Sequence, residues 1–194
     1  LLIFCKSRKA ATRTLNHILP YIEGKLFLKV NREKTQVAHV NKVKYLGYSF
    51  YTHKGEGRLR IHPKSVQKFK DKIREVTGRS NGMGIEARKV RLNQVVRGWM
   101  NYFKLADAKK LIQGLDEWIR SRIRMVTWKR WKRVRTRFEN LKRAGIKEKQ
   151  AWMWANTRKG YWRTAHSPIL LRVLYNERFK RAGYLSLTEC YSAK

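Results

Sequence analysis

Acidic residues are scarce in this sequence: thirteen Asp and Glu stand against forty-seven Lys and Arg, a formal charge of +34 over 194 residues. Three of the acids are Asp, at 71, 107 and 116, so residues 1–63 hold no Asp, and Glu23, Glu33 and Glu56 are scattered. That scarcity excludes the clustered carboxylates with which phosphoryl-transfer enzymes hold paired divalent ions. Cysteine is rarer still. Cys5 and Cys190 are too few for a disulfide framework, lack neighbouring Cys partners for zinc, and fit a reducing compartment. The five His form no HExxH pattern and no His/Cys cluster, although His53 and His62 could face each other across a hairpin. Gly78, Gly82 and Gly84 make neither GxGxxG nor a GKS/GKT loop. No apolar run is long enough to span a bilayer, and the opening "LLIFCKSRKA" has no basic leader and no processing site. It also has no initiator Met, and the expectation is the middle of a longer protein in a cytoplasm, bacterial or else organellar.

What is abundant is positive charge, and it is not gathered in a tail. Each of the stretches 1–60, 61–110, 111–150 and 151–194 carries its own surplus of cations. A body so charged repels itself, which points to a polyanion as its normal partner. Membrane surfaces are the competing anion, but they favour one amphipathic helix or a polybasic tail over dispersed charge. Nucleic acid is the stronger reading, with no membrane partner.

Hydrophobic spacing divides the chain in two. "LLIF" (1–4) reads as a short buried strand, 9–23 as a helix with Ala11, Leu15, Ile18 and Leu19 inward and Pro20 ending or bending it, and "GKLFLKV" (24–30) as strand-forming. Residues 43–63 read as a β-hairpin turning near "HKGEG". The first module, 1–63, is therefore α+β. From Ser65 to 194 the period is helical: Val66, Phe69, Ile73 and Val76, then Leu92, Val95, Val96, Trp99 and Phe103, then Leu111, Leu115, Ile119, Ile123 and Val126. Beside that last stripe lie Arg120 and Arg124.

"TWKRWKRVRTRF" (127–138) sets six cations and three aromatics in twelve positions without one acid. Trp131, Val134, Phe138 and Leu141 continue the packing stripe, while Arg130, Arg133 and Arg137 form a separate line placed to meet phosphates. Trp131 and Phe138 read as core; Trp128, off the stripe, is open between core and base stacking. Residues 109–143 could be one bent helix or two. Because a guanidinium can fork onto phosphate or stack on a base, the Arg excess between 120 and 137 favours folded RNA.

Four stretches then carry a resemblance: "LLIFCKSRKAATRTL", "LKVNREKTQVAHVNKVKYLGYSF", "LNQVVRGWMNYF" and "GYWRTAHSPILLRVLYNERFKRAGYLSL". In order and spacing they resemble the C-terminal part of a group II intron reverse transcriptase/maturase. The resemblance implies that 1–63 is the C-terminal part of a polymerase palm, an α+β remnant, and that 65–194 is a mostly α-helical thumb, the maturase-specific domain. It implies that the chain starts just past the catalytic Tyr-Ala-Asp-Asp turn. The fragment would then hold no metal or cofactor and not polymerise, with Mg2+ expected for the intact RNA-directed DNA polymerase.

Under the same resemblance, "NREKT" would approach the incoming nucleotide, through Asn31, Lys34 and Thr35, with Lys34 as an auxiliary proton donor in the intact parent. Leu46, Gly47 and Tyr48 of "YLGYSF" would form the primer grip. The RNA-binding candidates are Lys68, Lys72, Arg97, Asn101, Arg120, Arg124, Arg130, Arg133 and Arg137. The implied partners are group II intron RNA, the RNA template–DNA primer duplex of the parent, and a DNA target. The implied role is to assist intron folding and splicing within a mobile element; the alternative is a degenerate remnant that binds nucleic acid without selectivity.

Overall fold

The structure is a computed structural model and describes residues 1–193. The chain forms two compact units, Leu1–Ser65 and Val66–Lys194.

In the first unit, α1 (Arg8–Gly24) starts at Ser7, whose extended backbone and Oγ cap it by accepting the Ala10 N–H at 3.2 Å. Ala11, Leu15, Ile18 and Leu19 share its half-buried side, as the spacing requires, yet no residue of the helix is fully buried. Pro20 neither ends nor stops α1, which continues to Gly24. Its ring removes one donor, and the following Lys25 N–H still closes the last turn on the Tyr21 carbonyl at 2.9 Å.

The strands expected at 1–4 and 24–30 do not form. Leu1, Phe4 and Phe27 are exposed, and Phe27 takes a left-handed φ of 52°. Apolar, β-prone residues make a strand only where a neighbouring strand takes up their backbone hydrogen bonds; among the described residues neither stretch pairs with one, and the Leu26 and Leu28 N–H groups donate instead to the Tyr21 and Ile22 carbonyls of α1.

The hairpin is present and gains a third strand. β1 (Lys44–Tyr45), β2 (Tyr48–His53) and β3 (Glu56–Ile61) form an antiparallel sheet in the order β1-β2-β3. Each connection is a two-residue turn with both φ positive, Leu46 (48°) with Gly47 (79°) and Lys54 (51°) with Gly55 (81°). These are the signs of type I′ turns, whose twist matches that of the paired strands. His53 pairs with Glu56 beside the second turn, whereas Tyr48 pairs with Ile61 at the far end. His53 and His62 therefore occupy opposite ends of the hairpin and do not face each other. His62 instead accepts the Lys64 N–H on Nδ1 at 3.1 Å, ahead of Pro63, the first residue of α2 (Pro63–Val76).

The second unit is helical. Phe69, Ile73 and Val76 on α2 and Leu92, Val96, Met100 and Phe103 on α3 (Ile85–Phe103) supply one side of its core. The Phe69 and Trp99 rings stack at 4.3 Å between centroids. At the centre lies α4 (Lys109–Arg130), whose inward side begins at Ile112, leaving Leu111 exposed, and passes through Leu115, Ile119 and Ile123. Toward its end Ser121, Met125, Val126 and Trp128 are buried as well, so this helix is covered nearly all round. The chain breaks after Trp131 and restarts as α5 (Val134–Arg143), which settles 109–143 as two helices. No Pro or Gly forces the break. Arg137 Nε donates to the Trp131 carbonyl at 2.9 Å, replacing the backbone N–H that a continuous helix would supply.

Five shorter helices complete the unit: α6 (Glu148–Ala155), α7 (Tyr161–Ala165), α8 (Pro168–Val173), α9 (Asn176–Arg181) and α10 (Leu187–Ser192). α6 packs on α5, α7 on α4, and α10 on both α3 and α4. The attachment of α10 is polar. Buried Asp116 accepts the Leu187 N–H on Oδ1 at 3.0 Å, and on Oδ2 the Ser186 and Thr188 hydroxyls at 2.7 and 3.0 Å and Arg120 Nη1 at 2.7 Å. Asn93 on α3 holds the preceding loop through Gly183 and Leu185. Among the described residues no helix is long and apolar enough to cross a membrane.

Two outcomes follow from these contacts. Asp116→Ala leaves Arg120 and three further donors without their acceptor, and should cost about 3 kcal/mol or more in a denaturant titration. For His62, burial first and then Lys44, Lys64 and Arg60 hold the imidazole below its usual 6.5. The unfolded chain therefore takes up the proton at higher pH than the folded one. Stability should be full above 6.5, decline below it, and level off once the pH passes the folded value. Unfolding midpoints across that window should flatten in His62→Asn, and an unaltered pH profile would sink this assignment.

Candidate nucleic-acid interface

In the first unit, Asn31 organises the turn expected to meet a nucleotide. Its Oδ1 accepts the Lys34 N–H at 3.0 Å and its carbonyl accepts the Thr35 hydroxyl at 2.8 Å. The Asn31 side chain caps this single turn in the manner of a helix N-cap, and Lys34 is left exposed. At the expected primer grip, the Gly47 carbonyl accepts the His62 N–H at 2.9 Å and the Ser65 hydroxyl at 3.0 Å. Leu46 projects into solvent, and Tyr48 pairs with Tyr45 across the turn. This tip is thus braced through its backbone while its side chains remain at the surface.

In the second unit the nine RNA-binding candidates separate into two sets. Lys68, Arg97, Asn101, Arg130 and Arg133 are exposed. The other four are engaged within the protein. Lys72 pairs with Glu75 at 2.9 Å, and this lowers the Glu75 carboxyl below its ordinary range. Arg120 is held by Asp116. Arg124 is buried: its Nε donates to the Leu174 carbonyl at 3.0 Å, its guanidinium lies over Phe179 at 5.5 Å, and burial depresses its pKa. Arg137, besides its bond to Trp131, reaches the Ala155 carbonyl at 3.4 Å and lies 4.8 Å over the Trp128 ring. Because the chain turns at 131–133, Arg130, Arg133 and Arg137 do not share one helical line; the first two face outward and the third folds back. Trp128, left open by its spacing, is core.

On α2, α3 and α5, four acids are already committed. Asp71, Glu75, Glu86 and Glu139 each pair with a cation three or four residues away. Metal chemistry finds no donor set: among the described residues no three of His, Cys, Asp and Glu come together. What the surface offers is guanidinium and ammonium groups on a helical scaffold, suited to phosphate contacts.

Residues 66–145, running from α2 through α5, match the family model of the group II intron, maturase-specific domain. The chain carries a group II intron maturase-specific domain. No curated protein matches it. All nine RNA-binding candidates fall inside the matched stretch, and the domain supports a maturase, RNA-binding role in group II intron biology. The small antiparallel sheet precedes the match, and α6–α10 follow it.

Sequence spacing missed several residues of this surface. Arg122, between the two Arg chosen on α4, lies over the Trp118 ring at 5.9 Å, and Lys70 and Arg74 approach that ring at 5.9 and 5.6 Å. The available signal was the i,i+4 interval from Trp118 to Arg122. On α6, Trp152 and Met153 are exposed, Trp152 lying edge-on against Phe138 at 5.5 Å.

The division of the arginines is measurable. Charge reversal at Arg130 and Arg133 should leave the denaturation midpoint within about 0.5 kcal/mol of wild type, whereas Arg137→Glu should lose about 2 kcal/mol or more.

Proposed function

We propose that the maturase-specific unit binds group II intron RNA and holds it in a spliceable conformation, while the ribozyme performs the splicing chemistry. The observation that carries this reading is the exposed set Lys68, Arg97, Asn101, Arg130 and Arg133 within the matched domain, where four acids are already paired. Arg120, Arg124 and Arg137 serve that surface by fixing the helices that present it.

In an intact reverse transcriptase the same helices would clasp the template–primer duplex, and a DNA target could use the same cations. The sheet would be the edge of the palm, with Leu46, Gly47 and Tyr48 supporting the primer end and Lys34 beside the nucleotide. Among the described residues no carboxylate cluster comes together, which does not fit the Mg2+ that polymerisation requires. Polymerisation is accordingly assigned to the parent enzyme, and no step of it to these residues.

Filter binding to a structured group II intron RNA and a length-matched control, across a salt series, tests the proposal. The intron should be preferred near physiological salt, and reversal at Arg130 and Arg133 should weaken its binding by roughly tenfold and flatten the salt dependence. Equal affinity for the two RNAs would replace the proposal with a non-selective electrostatic clamp.

A further inference from the structure

Arg122 is the most unusual cation of the second unit. Its Nε donates to the Thr77 hydroxyl at 2.9 Å and its Nη2 to the Thr77 and Arg74 carbonyls at 3.3 and 3.4 Å. Each of these acceptors is uncharged. Among the described residues no carboxylate is paired with it, and the acids of the adjacent α2, Asp71 and Glu75, are bound to Arg74 at 2.6 Å and to Lys72 at 2.9 Å. Burial foremost, followed by Arg74 and Arg79, depresses the Arg122 guanidinium below its ordinary value. A half-buried cation flanked by like charges is costly unless an anion completes its surroundings. Three donors are used, and Nη1 has no acceptor among the described residues.

Aromatic rings frame the same place. The Arg122 guanidinium lies 5.9 Å from the Trp118 ring and 6.0 Å from that of Trp162. Arg79 lies 5.7 Å over Tyr161, and Lys129 Nζ donates to the Arg79 carbonyl, fixing the backbone at that position. Trp162 is 41% exposed although α7, which carries it, packs against α4. Tyr161 and Trp162 lie beyond residues 66–145, outside the matched domain.

We propose that Arg79, Arg122 and Trp162 form a subsite for one unpaired RNA nucleotide, with the two guanidiniums on its phosphate and the indole against its base. Arg122 Nη1 supplies the unused donor, and the exposed Arg79 supplies the second charge. A paired base keeps its face inside the stack, whereas an unpaired one can lie on an indole. An acidic peptide would satisfy the guanidiniums but would not cover the indole, which packs edge-on against His166 at 4.5 Å and still keeps part of its surface open. The assignment rests on the RNA-binding reading above and places one of its contacts outside the matched domain.

Arg79→Gln and Trp162→Leu alter side chains at the surface, and Arg122 is left intact because its bonds to Thr77 help hold α4 to the end of α2. Both variants and wild type are titrated with single-stranded oligouridylate and with a fully paired RNA of equal length, after their unfolding midpoints are shown to agree. Trp162→Leu should bind the single strand about tenfold more weakly with the duplex unchanged. Arg79→Gln should weaken both and reduce the salt slope for the single strand by about 0.7.

Single-strand binding at the wild-type level in both variants would overturn the subsite while leaving intron preference intact. An equal loss on both RNAs from Trp162→Leu would remove the base contact. Oligoglutamate displacing oligouridylate as well as an RNA of equal charge would assign the site to an acidic peptide instead. Failure of the wild-type protein to bind any RNA would remove the subsite together with the proposed function.

Discussion

Arginine guanidiniums placed on the open carbonyls of helix ends hold the second unit together. An α-helix leaves its last carbonyls without intrahelical donors and concentrates partial negative charge there. Arg88 donates to the Val76 and Gly78 carbonyls, and Arg122 to those of Arg74 and Thr77, so two arginines close the end of α2. Arg137 closes α4 at Trp131, while Arg178 and Arg124 meet the Val173 and Leu174 carbonyls at the end of α8. With thirteen acids for forty-seven cations, ion pairs could not have done this work. Backbone carbonyls and aromatic faces act as the counter-charges instead, and the few carboxylates are kept for particular joints, as Asp116 is for α10.

The same economy separates structure from function. A guanidinium that has spent its donors on carbonyls has few left for phosphate, as Arg122 keeps only Nη1, so most of the charge available to RNA lies on cations the fold does not use. Cations on one helix can thus have opposite fates. Arg124 is enclosed and Arg130 is open, although both belong to α4. The maturase-specific domain therefore presents a selected part of its charge on helices whose ends the remainder has closed.

How much of this was legible in the sequence depended on the range of the interaction concerned. Lys54-Gly55 between alternating residues marked the hairpin because a two-residue turn is a local matter, and the spacing of Phe69, Ile73 and Val76 marked α2 for the same reason. "LLIF" and "GKLFLKV" misled, since strand formation needs a partner that propensity does not reveal. The residues resembling the maturase family led to the domain that the family match then found at 66–145. The surface was harder to read. Arg120, Arg124 and Arg137 have partners four to fifty residues away, and a helical spacing of cations cannot tell an exposed one from one reaching a carbonyl. The break at Trp131 was hidden for the same reason, because the bond that closes α4 there comes from a side chain folding back from the next helix.

Cations closed on carbonyls inside the helical unit are sheltered from dissolved ions, whereas those facing outward are screened within about 10 Å at ordinary ionic strength. Concentrated salt should then detach bound polyanions without loosening the helix ends. The arginines at the ends of α2, α4 and α8 have a practical consequence: a wash in concentrated salt should remove nucleic acid carried through purification while the helix ends stay closed.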